Sequence, residues 1–309
     1  MIEARQTPIE EMTVEEARAV AGAPMTSEQR ATFERDGYLV VPGVLSPEEV
    51  ERYGAVVERR YQAARAENGL FYNGGIHQLC AVASCPELAP LADHPGILGL
   101  VWSVLEWNIH IAHSHIDVNP KVENPGPFHY EWHQDGGRQN REICTNPRPR
   151  FSVKAAYWLS DVSEPGRGNM KLVPGSHAAN RIDGPPSRDV EWPDPPGTIE
   201  AVANAGDVIL FDRRIWHARS DNRSDVVRRV VFFAYSYRWT VTRDVPPVDD
   251  GSFTPVQRQL LGLLPDVDGD HAWGHFPSKV PLHELLKRAD LLSTLGPPLP
   301  PPEPVVWPV

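Results

Sequence analysis

The chain has 309 residues, 41% of them hydrophobic and 23% charged, with 32 prolines and 23 glycines. That length can bury a sizeable core, and the proline and glycine content favours many turns over long helices. A formal net charge of −11 argues against nonspecific binding to nucleic acid or to an anionic membrane surface.

Cys80, Cys85 and Cys144 show no C-x-x-C spacing and suit a reducing compartment better than a disulfide scaffold. Glu3, Glu10, Glu11, Glu15 and Glu16 leave no room for an apolar signal region, and no apolar run reaches the length of a membrane span. The expectation is a soluble cytoplasmic protein. Residues 1–25 read as a peripheral arm or short helix.

Thr26-Ser27-Glu28-Gln29 starts a helix that Gly37 ends, and Tyr38-Leu39-Val40-Val41-Pro42 follows as a strand. Ser46-Pro47-Glu48-Glu49 unites an N-cap serine, a proline at N1 and a glutamate at N3. This capping box opens a helix to about Ala66, with Val50, Tyr53, Val57 and Tyr61 on one apolar face. A further helix is expected from Ile97 to Leu105. Ile109 to Val118 reads as a strand on which His113, His115 and Asp117 share one side and Ser114, Ile116 and Val118 the other. That polar face reads as a pocket wall; a solvent-lined face and a second metal site are the alternatives.

The stretch Glu131-Trp132-His133-Gln134-Asp135-Gly136-Gly137 places an imidazole and a carboxylate two residues apart, on one side of an extended chain. Far downstream, Phe211-Asp212-Arg213-Arg214-Ile215-Trp216-His217 delivers a second histidine. Two histidines and one carboxylate with open positions form the donor set of a non-haem Fe(II) centre. Residues 136–150 read as a basic loop (Arg138, Arg141, Arg148, Arg150), and 178–197 as an insertion. Strands are expected at Phe151–Leu159, Met170–Val173, Val208–Phe211 and Val226–Trp239, the last carrying Arg228 and Arg229. Helices follow near Val256–Leu264 and Leu282–Leu292, before a proline-rich end.

Short strands separated by turns after a helical preface predict a mainly β protein with flanking helices: an antiparallel jelly-roll, cupin-like, under an N-terminal helical cover. We expect one domain over 26–240, with 241–309 a helical and proline-rich extension packed on it.

With those elements placed, the chain resembles the phytanoyl-CoA dioxygenase family of Fe(II)/2-oxoglutarate-dependent oxygenases, from about Thr26 to Trp239. The likeness is carried in order by Phe33-Glu34-Arg35-Asp36-Gly37-Tyr38, Ser46-Pro47-Glu48-Glu49, Trp132-His133-Gln134-Asp135 and Trp158-Leu159-Ser160-Asp161. It continues through Val173-Pro174-Gly175-Ser176-His177 and Ala205-Gly206-Asp207-Val208 to His217 and Arg228, eleven residues further on. The resemblance implies a double-stranded β-helix, iron on His133, Asp135 and His217, and Arg228 on the distal carboxylate of 2-oxoglutarate, with O₂ as oxidant. Strand parity alone does not choose between Arg228 and Arg229.

Two positions depart from the family. Arg219 stands where relatives often carry a serine, and Asp117 stands near a position that can offer the co-substrate an uncharged amide. The carboxylate Asp135, which related halogenases replace by a small residue, favours hydroxylation of an aliphatic C–H; desaturation, cyclisation and epimerisation stay open. Residue usage rich in Ala, Arg, Asp and Pro adds an association with bacterial secondary metabolism. His115, Arg138, Trp158 and Trp239 are the expected substrate contacts, and His177, His271 and His275 read as structural or surface histidines. A zinc hydrolase or isomerase and a non-catalytic binding module are the rival classes; the first leaves Arg228 unexplained and the second the intact triad.

Overall fold

The structure is a computed structural model in which residues 7–71, 73–123, 132–182, 194–264 and 280–295 are described. Glu131, His271, His275, most of the 178–197 insertion and the proline-rich end lie outside the described residues.

Among the described residues nine strands form two sheets with antiparallel pairing throughout. The larger runs β1 (Tyr38–Val41), β7 (Val208–Asp212), β4 (Ser152–Trp158), β9 (Arg228–Tyr237), β3 (Ile109–Asn119) and β2 (Ile76–Leu79), in that spatial order. The smaller runs β6 (Ile199–Ala201), β5 (Met170–Leu172) and β8 (His217–Arg219). Sequence neighbours are mostly not spatial neighbours, as the crossing connections of a jelly-roll require.

Alternation along each strand sorts the side chains into two cores. Val153, Ala155 and Tyr157 of β4 and Val231, Phe233 and Tyr235 of β9 bury against the helices. Ala156, Trp158, Val230, Phe232 and Phe211 instead join Met170, Leu172 and Ala201 of the small sheet in a second cluster, the barrel interior. Lys154 and Arg228 share the parity of that interior.

Strand β3 would break this rule without its bulge. Ile109 and Ile111 pack with the helices, and strict alternation would send His113, His115 and Asp117 the same way. The register shifts between Ile111 and His113, so one extra residue, Ala112, turns the following odd positions to the interior. His115 then pairs across from Phe232, Asp117 from Val230 and Asn119 from Arg228.

The helical cover forms where the caps predict. Ser46 accepts from the Glu49 N–H and Glu49 caps the Ser46 N–H, opening the helix Pro47–Ala66 with Tyr53, Val56, Val57 and Tyr61 buried. Thr26 and Gln29 make the same box for the helix Ser27–Asp36, which stops at Gly37 in the left-handed region.

Of the arm or short helix expected for residues 1–25, the described part from residue 7 shows the helix, packed into the core where a peripheral segment was expected. From Ile9 onward these residues form a single 3-10 turn and a capped helix, Val14–Ala21. Ile9, Met12, Ala17, Val20 and Ala21 are buried in the main core, with the helices Pro95–Leu105 and Pro281–Arg288 among their neighbours. Only a tertiary partner could show that so polar a stretch has an apolar side worth burying. Among the described residues no single helix is long and apolar enough to cross a membrane; one pair, bent by 57°, passes on length and composition together and is built largely of core residues.

Candidate active site

His133 sits beside β8, exchanging backbone hydrogen bonds of 3.0 Å with His217 in both directions. That pairing brings the two imidazoles to 4.2 Å between ring centres, although 84 positions separate them in sequence. The Asp135 N–H donates to the Arg213 carbonyl at 2.9 Å, and the Asn140 amide donates to the Gln134 and Asp135 carbonyls at 3.1 Å each. Gln134 points away from the site and is held by the Ala179 and Arg214 carbonyls and by Arg148. A side chain on Gly136 would place its Cβ 2.4 Å from both Arg213 and Asn140, at a φ of +135°.

The carboxylate of Asp135 lies 3.7 Å from His133 Nε2 and 3.9 Å from His217 Nε2, and all three donor atoms lie within 4.8 Å of one another. The His217 Nδ1–H donates to the Ile215 carbonyl at 2.9 Å, which leaves Nε2 as a lone pair facing Asp135. Burial, reinforced by His133, pushes the His217 imidazole down to about 3, so it is neutral at physiological pH. Burial works to raise the Asp135 carboxyl, but Lys154 first, then the two histidines and Arg213, outweigh it and hold it well below the ordinary carboxylate range. Lys154, buried on β4, reaches Asp135 Oδ2 with its Nζ at 3.1 Å.

His133, Asp135, Lys154 and His217 line a cavity of about 510 Å³, and Arg228 lines it too. Arg228 is only 2% exposed. Its Nη1 donates to Asn119 Oδ1 at 2.6 Å and stands 3.6 Å from Asp117 Oδ2, and its guanidinium lies 5.0 Å over the Trp158 ring. The Nε is buried with no protein acceptor. Burial lowers the Arg228 pKa and Asp117 opposes that shift. Arg229 faces the other way and pairs with Glu58 across the helical cover, which resolves the ambiguity left by parity.

Of the expected substrate contacts, His115 lines the cavity and is stacked on Phe232. The other three do not. Trp158 is fully buried beneath Arg228, Trp239 stacks on Tyr237 and packs edge-on against Phe151, and Arg138 is on the surface paired with Glu142. For Trp158 the reason is its place in the interior cluster under the arginine; Trp239 follows the end of β9 and packs on Tyr237 and Phe151, and Arg138 on its loop is paired with Glu142. Arg219 lines the cavity, whereas Ser220 is buried with an unpaired hydroxyl outside its lining. The amide near the arginine is supplied two residues after Asp117, by Asn119.

Sequence reasoning missed Lys154, Asn119 and His77. Lys154 carried a signal, a lone charge with the parity of Ala156 and Trp158; Asn119 needed the β3–β9 register. His77, in a short strand with no motif, carried none.

The fold agrees with what the chain matches. The family model described as Phytanoyl-CoA dioxygenase (PhyH) covers residues 33–230. The chain belongs to the phytanoyl-CoA dioxygenase (PhyH) family. This family member is an Fe(II)- and 2-oxoglutarate-dependent dioxygenase. It is 26% identical over 241 residues to the ectoine dioxygenase of Nocardia farcinica, covering 68% of this chain and 77% of that protein. The crystal structure of HygX from Streptomyces hygroscopicus with nickel, 2-oxoglutarate and hygromycin B bound superposes with a TM-score of 0.53 at 23% identity, over 72% of this chain and 92% of HygX. The 2-oxoglutarate-dependent carbocyclase SnoK from nogalamycin biosynthesis is 26% identical with a TM-score of 0.53, over 74% of this PhyH-family chain and 92% of SnoK. The jelly-roll expectation is thereby met.

Proposed function

We propose that His133, Asp135 and His217 hold the ferrous ion, that Arg228 binds the distal carboxylate of 2-oxoglutarate, and that the enzyme hydroxylates an aliphatic C–H of a small molecule. One observation carries this reading: three clustered lone-pair donors and a buried guanidinium line the same cavity. Two imidazoles and a carboxylate suit Fe(II) and leave positions open for a chelating co-substrate and O₂. Arg228 suits a carboxylate, because its Nε has no protein acceptor and a guanidinium fork grips a carboxylate through paired charge-assisted hydrogen bonds.

When bound, iron and 2-oxoglutarate supply the oxidation, converting 2-oxoglutarate, O₂ and R–H to succinate, CO₂ and R–OH. The chain supplies the rest. Ile215 fixes the His217 tautomer, Lys154 keeps Asp135 ionised and oriented, and Asn119 and Trp158 hold Arg228 in place. Phe211, Phe232 and Met170 give the cavity apolar walls that keep bulk water from the reacting centre. Asp135 stands where a halogenase would need room for halide, which supports oxygen transfer.

The names of the relatives support a small-molecule substrate, and the setting of SnoK supports a role in bacterial secondary metabolism. Three cysteines without disulfides suit a cytoplasmic location. The test is succinate release from 2-oxoglutarate that requires both Fe(II) and O₂, followed by mass analysis of the product. A gain of one oxygen means hydroxylation; a loss of two hydrogens means desaturation or ring closure. If His133→Ala leaves succinate release intact, the metal assignment is wrong.

A further inference from the structure

The same cavity contains a second cluster with the donor set of the first. β3 contributes His115 and Asp117, and the edge strand β2 adds His77. One donor atom from each lies within 4.8 Å of the others, as in the His133, Asp135 and His217 group. His115 Nε2 stands 3.9 Å from Asp117 Oδ2, the separation also found between His217 and Asp135. His77 Nδ1 lies 2.6 Å from the other Asp117 oxygen.

A row of groups runs from Asp117 through His115 and His113 to Asp244, with contacts of 3.9, 3.2 and 3.6 Å. Only the middle contact is short enough for a hydrogen bond, so His115 Nε2 and Asp117 Oδ2 face each other without one. The widest contact is between His115 and Asp117, both of which line the cavity. Burial also disfavours an added proton on His115.

We propose that His77, His115 and Asp117 form a cation subsite beside the catalytic centre, filled by a second divalent metal ion or by the protonated amine of a substrate. Either brings positive charge between the facing Asp117 carboxylate and His115 imidazole. Arg228 now stands 3.6 Å from Asp117. A 2-oxoglutarate carboxylate on Arg228 draws off that counter-charge, so the subsite binds its cation more tightly when the co-substrate is present. The inference rests on the proposed function in taking the neighbouring triad as the iron site.

The test uses the full chain without O₂, with 2-oxoglutarate present. Co(II) is titrated first, followed by its visible absorption; n-butylammonium is then titrated calorimetrically into the Ni(II)-loaded protein. With a metal as occupant, wild type takes up two equivalents of Co(II) and His77→Phe takes up one, while 2-oxoglutarate still binds. With an amine as occupant, wild type takes up one Co(II), and butylammonium binds Asp117→Asn at least tenfold more weakly than wild type. The proposal is overturned if His77→Phe and wild type both take up two equivalents. It is equally overturned if wild type takes up one and butylammonium fails to distinguish Asp117→Asn. Failure of the triad reading looks different: His133→Ala would then leave the Co(II) count unchanged. His77 is half-exposed on an edge strand, so the phenylalanine variant folds.

Discussion

Replacing Lys154 by methionine separates the electrostatics of the empty site from those of the metal-loaded one. The ammonium lies 3.1 Å from Asp135 and is buried, with Phe211 and Phe232 flanking it at 5.9 and 5.2 Å. At that distance and an effective dielectric of about 20 the attraction is about 5 kcal/mol. Much of it is offset, since the variant no longer buries an ammonium and Asp135 keeps a quarter of its side chain exposed. The net loss is about 2 kcal/mol for the apo-protein, or roughly 4–8 °C in Tm for a domain of this size. A divalent ion on Asp135 takes over the neutralising role, so the deficit shrinks when the ion is bound, and metal affinity holds or tightens in the variant. Thermal melts of both proteins with and without Mn(II) measure this difference. An unchanged apo Tm, or an equal deficit with and without Mn(II), refutes the reasoning.

Arg228→Lys removes the fork but keeps a charge, and we expect 2-oxoglutarate affinity to fall by about 10- to 100-fold with metal affinity unchanged, read by anaerobic titration. Gly168→Ala places a Cβ 2.7 Å from Arg228 Cδ at a φ of +75°, so it should weaken 2-oxoglutarate binding without touching the ligand; an unchanged KM for 2-oxoglutarate would refute this. Burial lowers His217 to about 3 and His110 to about 4, below the value of about 6.5 in the unfolded chain. The unfolded state therefore binds more protons, and their contribution to apo-protein stability is lost as pH falls from about 6.5 toward those values, at up to about 1.4 kcal/mol per pH unit for each ring. Urea midpoints across that window should fall less steeply for His217→Gln than for wild type. Ser46→Ala breaks the capping box and should cost about 1 kcal/mol with metal binding unaffected, measured by urea melts.

The helices were legible because their signals are local. Thr26 and Ser46 mark helix starts within a few residues of the backbone N–H groups they cap, and Pro95 marks another because at the first helical position it has no N–H to leave unpaired. His133 and Asp135 were legible for a related reason, since two donors at i and i+2 in extended chain share a side whatever the fold. Three expected substrate contacts fall outside the cavity lining, because an aromatic or a charge near a strand end does not reveal which side of the barrel wall it occupies. Trp158 shows this most directly: its parity was inward, yet Arg228 covers it.

The sequence alone determined the donor types and the order in which they arrive, because chemistry resides in side chains and turns in local backbone preferences. The tertiary structure decided which of them meet. His133 reaches His217 only through a bridge between distant segments, and Asn119 meets Arg228 only through the register of β3 on β9. One bulged residue, Ala112, decides that His113, His115 and Asp117 face the cavity instead of the helices, because side-chain direction in a strand reverses with every position inserted.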